Sequence, residues 1–348
     1  MRPCGVFDER YETDMAIVRT WQHWTILLGT MGFLFSIPLF ASYYLISLLN
    51  SIFITSVMVL GLQIIMGYCG QVSLGQAAFM AIGGFVSALL TLKLGLSFWL
   101  ALPLSGLSAG LIGLIGGAPS LRIKEFYLAM STVAIHYVII WLITHLKITG
   151  YTQGLVVSPP AIGNFVFNTE ERMYYIILMV TLLMTFCARN LIRGNVGRIF
   201  IAIRDNDLAS EVMGVNIFKY KMLAFFISCF YAGIAGSLLA HWYQVVNAEM
   251  FTLNHALLYI GMIIIGGMGS IPGAFFGVFF LRLLDELVLA VSPMLAHKFP
   301  QLGMTPAASL GVMCFGIVLV FFLLFEPRGI AHRWEIFKAS YRIYPYRK

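Results

Sequence analysis

The sequence predicts an all-α polytopic membrane protein of about ten transmembrane helices with glycine-rich broken segments. Three observations carry this reading. The 348-residue chain is 60% hydrophobic, its Asp, Glu, Lys and Arg together make only 11%, and apolar runs recur from one end to the other. Soluble domains carry roughly 25% charged residues, so a water-facing surface cannot be built from this composition. Length alone, at about 150 residues per domain, would imply two soluble domains. The hydropathy replaces that with one membrane domain and excludes most soluble-enzyme classes.

A hydrocarbon core about 30 Å thick takes roughly 20 apolar residues of helix. Ten segments bounded by Gly, Pro or charge fit this pattern: His23–Ala41, Leu45–Met66, Gln76–Leu92, Ser97–Gly117, Glu125–Lys147, Met173–Leu191, Lys221–Val245, His255–Gly267, Ala274–Val291 and Pro306–Phe325. Ahead of them, residues 1–22 mix Arg2, Arg10 and Arg19 with Asp8, Glu9, Glu12 and Asp14 and hold no apolar core. This is not the pattern of a cleavable signal peptide, so residues 1–22 read as a cytoplasmic segment and the first apolar run is retained. The eighth segment, at 1.5 Å per residue, reaches only about 20 Å. It must begin earlier, be half re-entrant, or continue into the ninth. The transmembrane domain is thus 23–325, and 326–348 forms a basic cytoplasmic tail.

Charge placement sets the topology. With ten crossings, one side receives Arg2, Arg10, Arg19, Arg122, Lys124, Arg189, Arg193, Arg198, Arg204, Lys219, Lys221, Arg328, Arg333, Lys338, Arg342, Arg347 and Lys348, and the other only Lys93, Lys147, Arg172 and Lys298. The positive-inside rule then puts both termini and the loop at 188–221 in the cytoplasm. One long helix from His255 to Val291 would send the basic tail outside, so the tally favours a turn near Gly266 to Gly273. The net charge of +7 marks topology and calls for no nucleic acid. Cys4, Cys69, Cys187, Cys229 and Cys314 are scattered, with no CxxC and no His/Cys spacing for a metal, so neither a disulfide nor a metal site is expected.

Two glycine-rich breaks fall on the same face. One reads Gly67-Tyr68-Cys69-Gly70-Gln71-Val72-Ser73-Leu74-Gly75 and opens into Gln76-Ala77-Ala78-Phe79; the other reads Gly266-Gly267-Met268-Gly269-Ser270-Ile271-Pro272-Gly273 and opens into Ala274-Phe275-Phe276-Gly277. They resemble an internal repeat with a one-residue gap. Interrupted helices in corresponding halves point to a solute pathway, because unwound backbone survives in a bilayer only where protein or water satisfies it. The glycines also fit two tight turns that let helices pack closely. Gly70, Gln71, Ser73, Gly75, Gln76, Gly266, Gly269, Ser270 and Gly273 are the pathway candidates. Gln71, Ser73 and Gln76 offer neutral donors and acceptors suited to transient passage of a zwitterion or small amide.

In the cytoplasmic loop, Asp205-Asn206-Asp207 supplies N-cap candidates, Leu208–Met213 a helical run, and Gly214 a stop. A short capped helix with apolar Leu208, Val212 and Met213 suits docking into a groove on another protein; it equally fits an interfacial connector.

Several stretches in register resemble one family. Gly197-Arg198, Ala202-Ile203-Arg204-Asp205-Asn206-Asp207, Ala209-Ser210-Glu211-Val212-Met213-Gly214-Val215 and Lys219-Tyr220-Lys221 resemble the cytoplasmic loop of LivM-type permeases of branched-chain amino acid ABC transporters. Gly67 to Phe79, Leu121-Arg122-Ile123-Lys124 with Tyr127, Ala129 and Thr132, and Gly266 to Gly273 followed by Phe325-Glu326-Pro327-Arg328-Gly329 are similar to that family's other motifs, over roughly residues 45–335. Glu125 departs from a position usually Gly, and Thr149-Gly150-Tyr151-Thr152-Gln153-Gly154-Leu155 from a segment usually richer in Gly and Asn. These departures bear on the substrate and its binding protein.

The resemblance implies an ABC importer permease fold in the bacterial inner membrane, paired with a LivH-type homologous permease, two ABC ATPase subunits and a periplasmic substrate-binding protein. ATP and Mg would then be used on the partner subunits. Consistent with that, the chain has no GxxxxGK[ST] and no Gly-Lys dipeptide, so it lacks the usual phosphate-cradling loop. Arg204, Asp205, Asp207, Ala209, Glu211 and Gly214 are the expected ATPase-coupling residues. Urea or short amides are the alternative cargo.

Among ionisable residues in the apolar helices, Arg282, Asp285 and Glu286 stand at i, i+3 and i+4 and read as a structural ion pair. His136 and His241 read as hydrogen-bonded packing residues, and Glu249 and His255 as flanking a periplasmic turn. Tyr43, Tyr44, Trp99, Trp141, Tyr174, Tyr175, Trp242 and Tyr243 read as an interfacial aromatic belt. A channel or secondary transporter would need a clearer buried ion site, and an intramembrane enzyme would need paired catalytic groups at one depth. Neither is evident.

Overall fold

The computed structural model describes residues 21–120, 125–162, 165–298 and 306–343. The expectations placed on residues 1–20, on Leu121 to Lys124 and on Arg347 and Lys348 lie outside the described residues. Those described are almost wholly helical: α1 (Trp21–Phe40), α2 (Tyr43–Leu62), α3 (Gln76–Lys93), α4 (Phe98–Ser120), α5 (Glu125–His145), α6 (Glu170–Arg193), α7 (Asn195–Asp205), α8 (Asp207–Val212), α9 (Ile217–Tyr243), α10 (Leu253–Gly266), α11 (Ile271–Lys298), α12 (Pro306–Phe325) and α13 (Gly329–Ile343).

Seven helical spans among the described residues are long and apolar enough to cross a membrane, or eight if Met313–Phe325 and Gly329–Ser340, bent by 44°, count as one. In α11 the charges of Arg282, Asp285 and Glu286 interrupt the apolar stretch; α1 runs from Trp21 to Phe40, of which Leu28–Phe40 counts as a shorter apolar helix among the described residues. The short eighth segment does begin earlier: a 3-10 turn at Ala248–Phe251 leads into α10, giving a span from Ala248 to Gly266. The basic tail expected after residue 325 is largely helix α13.

Helix α9 lies at the centre, packed on α2, α3 and α4, with α6 behind α2 and the α10–α11 pair beside it. Small residues allow this closeness, since lipid gives helices no hydrophobic reason to associate and packing must do so instead. A Cβ placed on Gly61 of α2 would stand 2.6 Å from Cβ of Tyr231 on α9. The core between them is filled by Phe79, Phe225, Met58 and Leu60, all fully buried.

The two ends of the bundle differ. At one, α7, α8 and the start of α13 gather around the ends of α2 and α10. At the other, β1 (Leu155–Val156) pairs antiparallel with β4 (Val245–Val246), and β2 (Ala161–Ile162) with β3 (Phe165–Val166). Because α9 runs from α8 to β4, these groups sit at opposite ends of one membrane-length helix.

Candidate functional site

Two interrupted helices meet at one point. Helix α2 widens into a π-helical stretch, Gln63–Tyr68, and the chain then runs irregularly to Gly75 before α3 begins. Helix α10 stops at Gly266, turns through left-handed Gly269, and restarts at Ile271. A Cβ on Gly67 would stand 2.6 Å from the backbone nitrogen of Gly269, so the approach requires glycine. The Gln63 amide fastens the breaks together, its Nε2 donating to the carbonyls of Gly267 and Ser270, both at 2.9 Å.

Arg204, the penultimate residue of α7, reaches into this junction. Its Nη1 donates to the Gly67 carbonyl at 2.9 Å, while Nε and Nη2 donate to Asp205 Oδ1 at 3.0 and 2.9 Å. The stem packs on Gly70, where a Cβ would stand 2.9 Å from Arg204 Cγ. A charge-assisted bond to a carbonyl freed from helical pairing is stronger than an ordinary amide bond.

Beside the junction lie polar groups left without partners. Gln71 and Ser73 are buried, and neither the Gln71 amide nor the Ser73 hydroxyl finds a protein partner. Gln76, the first residue of α3, donates from Nε2 to Ser228 Oγ at 2.7 Å, yet its Oε1 is unpaired, as is Oε1 of Gln63. Each such buried atom costs about 1–3 kcal/mol. Concentrated at unwound backbone, they leave hydrogen-bonding capacity that water can complete. Thr132 of α5 closes one side by accepting from the Leu74 amide at 3.0 Å. Burial pushes the Cys69 thiol up to about 12, with a smaller opposing pull from Lys221.

Most of the expected pathway residues thus come together. Gly70, Gln71, Ser73, Gly75 and Gln76 share one break; Gly266, Gly269 and Ser270 belong to the facing one. Gly273 lies in the first turn of α11, where its amide nitrogen donates to Ser270 Oγ at 3.2 Å and where a Cβ would stand 2.7 Å from the Gly267 carbonyl oxygen, so it packs directly on the same break. The helix starts before the glycine because Ser270 caps it. The two breaks differ in length, the helix restarting at Gln76 after the first and at Ile271 after the second.

In the loop between α7 and α9, Asn206 caps α8 by accepting from the Ala209 amide at 3.0 Å. Asp207 accepts from the Leu208 amide at 2.9 Å, Ala209 and Glu211 are exposed, and left-handed Gly214 ends the helix. Leu208, Val212 and Met213 are 71%, 88% and 84% exposed, an apolar tip beyond the junction. Helix α7, which carries Arg204 inward, is not evident in the hydropathy.

Other expectations fare unequally. His241 is buried and paired at both ring nitrogens, with Ser87 Oγ and the Ser158 carbonyl, each at 3.0 Å. His136 is buried with Nδ1 unpaired, so it is not fully satisfied by packing. The expected Arg282 ion pair is absent among the described residues: Arg282 donates to Thr55 Oγ1 at 3.0 Å, and Glu286 accepts from the Tyr44 hydroxyl. Partners on α2 outcompete the i, i+4 pairing on α11. Trp242 and Tyr174 likewise bond inward, to Glu170 Oε2 and the Leu34 carbonyl, rather than simply marking a belt.

Gln63 and Glu170 escape a reading by sequence. Gln63 is a lone amide four residues ahead of Gly67 in an apolar helix, which is a usable signal. Glu170 collects Asn50 and Trp242, both at 2.8 Å, from helices far apart in the chain.

Broken helices that abut inside an apolar bundle, with unpaired amides where they touch, define the class of polytopic transport proteins. Residues 44–323 match the family described as branched-chain amino acid transport system / permease component, and the chain belongs to that family. It is 29% identical over 296 residues to the high-affinity branched-chain amino acid transport system permease protein LivM of Escherichia coli, covering 78% of this chain and 66% of that protein, just under two thirds of its length. It is 25% identical over 333 residues to the probable LivM permease of Methanocaldococcus jannaschii, covering 84% of this chain and 90% of that one. With the LivH permease of Salmonella typhimurium the identity is 24% over 322 residues, covering 85% and 98%. No solved structure matches.

Proposed function

We propose that this chain is a permease subunit of an ABC importer that carries branched-chain amino acids inward across the bacterial inner membrane. The observation that carries the reading is the junction itself: two broken helices fastened by Gln63 and tied to the α7–α8 loop by Arg204. Family membership supports it, and the names of the LivM and LivH relatives supply the cargo.

In this reading the chain crosses about ten times, with both termini and the α7–α8 loop cytoplasmic. It pairs with a LivH-type permease, and two ATPase subunits dock on Leu208, Val212 and Met213 and hydrolyse ATP with Mg. Closure of the ATPases displaces α8, Arg204 carries the displacement to Gly67, and the two breaks part. Gln71, Ser73 and Gln76 then hydrate the passing zwitterion. A periplasmic binding protein delivers the cargo and sets much of the selectivity.

Reconstitution tests this. Proteoliposomes holding the permease pair, the ATPases, internal ATP and external binding protein are expected to accumulate labelled L-leucine, and omission of the ATPases to abolish it. Accumulation of leucine by this chain alone would favour a secondary transporter. Uptake of urea but not leucine would select the amide alternative.

A further inference from the structure

A cavity of about 500 Å³ opens at the end of the bundle opposite the glycine junction, between α5 and the turn that leads into α10. Its size falls in the range of small-molecule sites, roughly 300–1,000 Å³. The walls combine apolar side chains, Ile140, Phe251 and Leu253, with His136, Tyr137 and Glu249.

His136 is only 2% exposed, and its Nδ1 has no partner. An unpaired ring nitrogen inside a membrane domain is costly and commonly marks a functional position. In the tautomer with the proton on Nδ1 it donates to a carboxylate. Glu249 is exposed at the rim and suits an ammonium. An anion-binding and a cation-binding group beside apolar walls match an aliphatic amino acid, whose two charges sit on one carbon and whose side chain is hydrocarbon.

The support is rigid. Asn247 caps the 3-10 turn that carries Glu249, its Oδ1 accepting from the Met250 amide at 3.2 Å. That turn follows β4, which is paired to β1, and it packs on α5.

We infer that this cavity is a transient receiving site for an aliphatic zwitterionic amino acid, in which Glu249 takes the ammonium and His136 the carboxylate. The inference rests on the proposed import function and adds the chain's own point of cargo recognition, upstream of the glycine junction.

The test uses the complete importer in proteoliposomes, with Asn254→Cys, an exposed lining position that takes no part in the proposed binding, modified by a membrane-impermeant thiosulfonate from the binding-protein side, and unsubstituted importer as the control for native thiols. L-Leucine at millimolar concentration is expected to slow modification by about threefold or more, and L-glutamate not to. Glu249→Gln and His136→Leu should each lower leucine uptake by about tenfold, the loss expected from one charge-assisted bond of about 1.5 kcal/mol. Equal modification rates with and without leucine would overturn the site. So would complete protection without leucine, which would mean that lipid or a partner subunit fills the cavity. An unsubstituted importer that moves no leucine would overturn the import reading as well, which separates the two failures.

Discussion

At the scale of single residues, Arg204 is the most informative side chain. It joins the α7–α8 loop to the Gly67 carbonyl inside the broken α2 through a bond at 2.9 Å. Arg204→Ala is expected to reduce ATP-driven leucine uptake by about tenfold or more while hydrolysis by the ATPases persists, because the loss of one charge-assisted bond is worth about 1.5–3 kcal/mol. Arg204→Lys should recover only part, since an ammonium cannot serve Gly67 and Asp205 with a planar fork. Gly67→Ala tests the contact from the other side. Its methyl would meet the Gly269 nitrogen at 2.6 Å, so thermal unfolding should show a loss of about 1–3 kcal/mol, typical of overpacking.

Residue-level reading of the sequence works where chemistry is local and fails where partners are distant. The Asn206 cap and the Gly214 stop are visible because both act within one short helix. The Arg282 pairing misleads because Thr55 and Tyr44 approach from a helix more than two hundred residues earlier. Gln63 and Glu170 matter through the same kind of distant contact.

At the scale of elements, α8 is a short capped helix whose apolar tip, Leu208, Val212 and Met213, is exposed among the described residues. Val212→Asp at the 88% exposed tip should leave folding and membrane insertion unchanged and sharply lower co-purification of the ATPase subunits. Retained co-purification at the wild-type level would remove this helix from docking. The first break makes a separate prediction. With its thiol raised to about 12 by burial, Cys69 stays protonated through neutral and mildly alkaline pH, and only the thiolate reacts quickly. Maleimide labelling at pH 7.5 should therefore be slow at rest and faster during ATP turnover, measured by mass spectrometry. Helix positions are legible from hydropathy across most of the chain, because apolar runs of about 20 residues have one stable form in lipid. Boundaries slip where caps decide them, as at Ile271, and α7 is hidden because its apolar run, Ile199 to Ile203, is far too short to read as a span.

At the scale of the whole molecule, α9 connects the end that carries the glycine junction to the end that carries the hairpins and the amino-acid-sized cavity. The two proposed working parts are thus a membrane thickness apart, recognition at one end and gating at the other. Sorted charge predicts the sidedness, while the adjacency of the two breaks is not contained in any local pattern. Residues near 67 and near 269 become neighbours only through packing of α2 against α10 and α11. Their shared glycine content hints at a relation without giving the contact.

The movement of that junction is the central claim. Spin labels at Val72 and Met268, one on each break, allow its width to be measured by pulsed electron paramagnetic resonance in the assembled importer. The account predicts a longer distance distribution in one of the nucleotide-free and vanadate-trapped states than in the other, with the difference lost in Arg204→Ala while hydrolysis continues. Identical distributions in both states, in an importer that accumulates leucine, would contradict it.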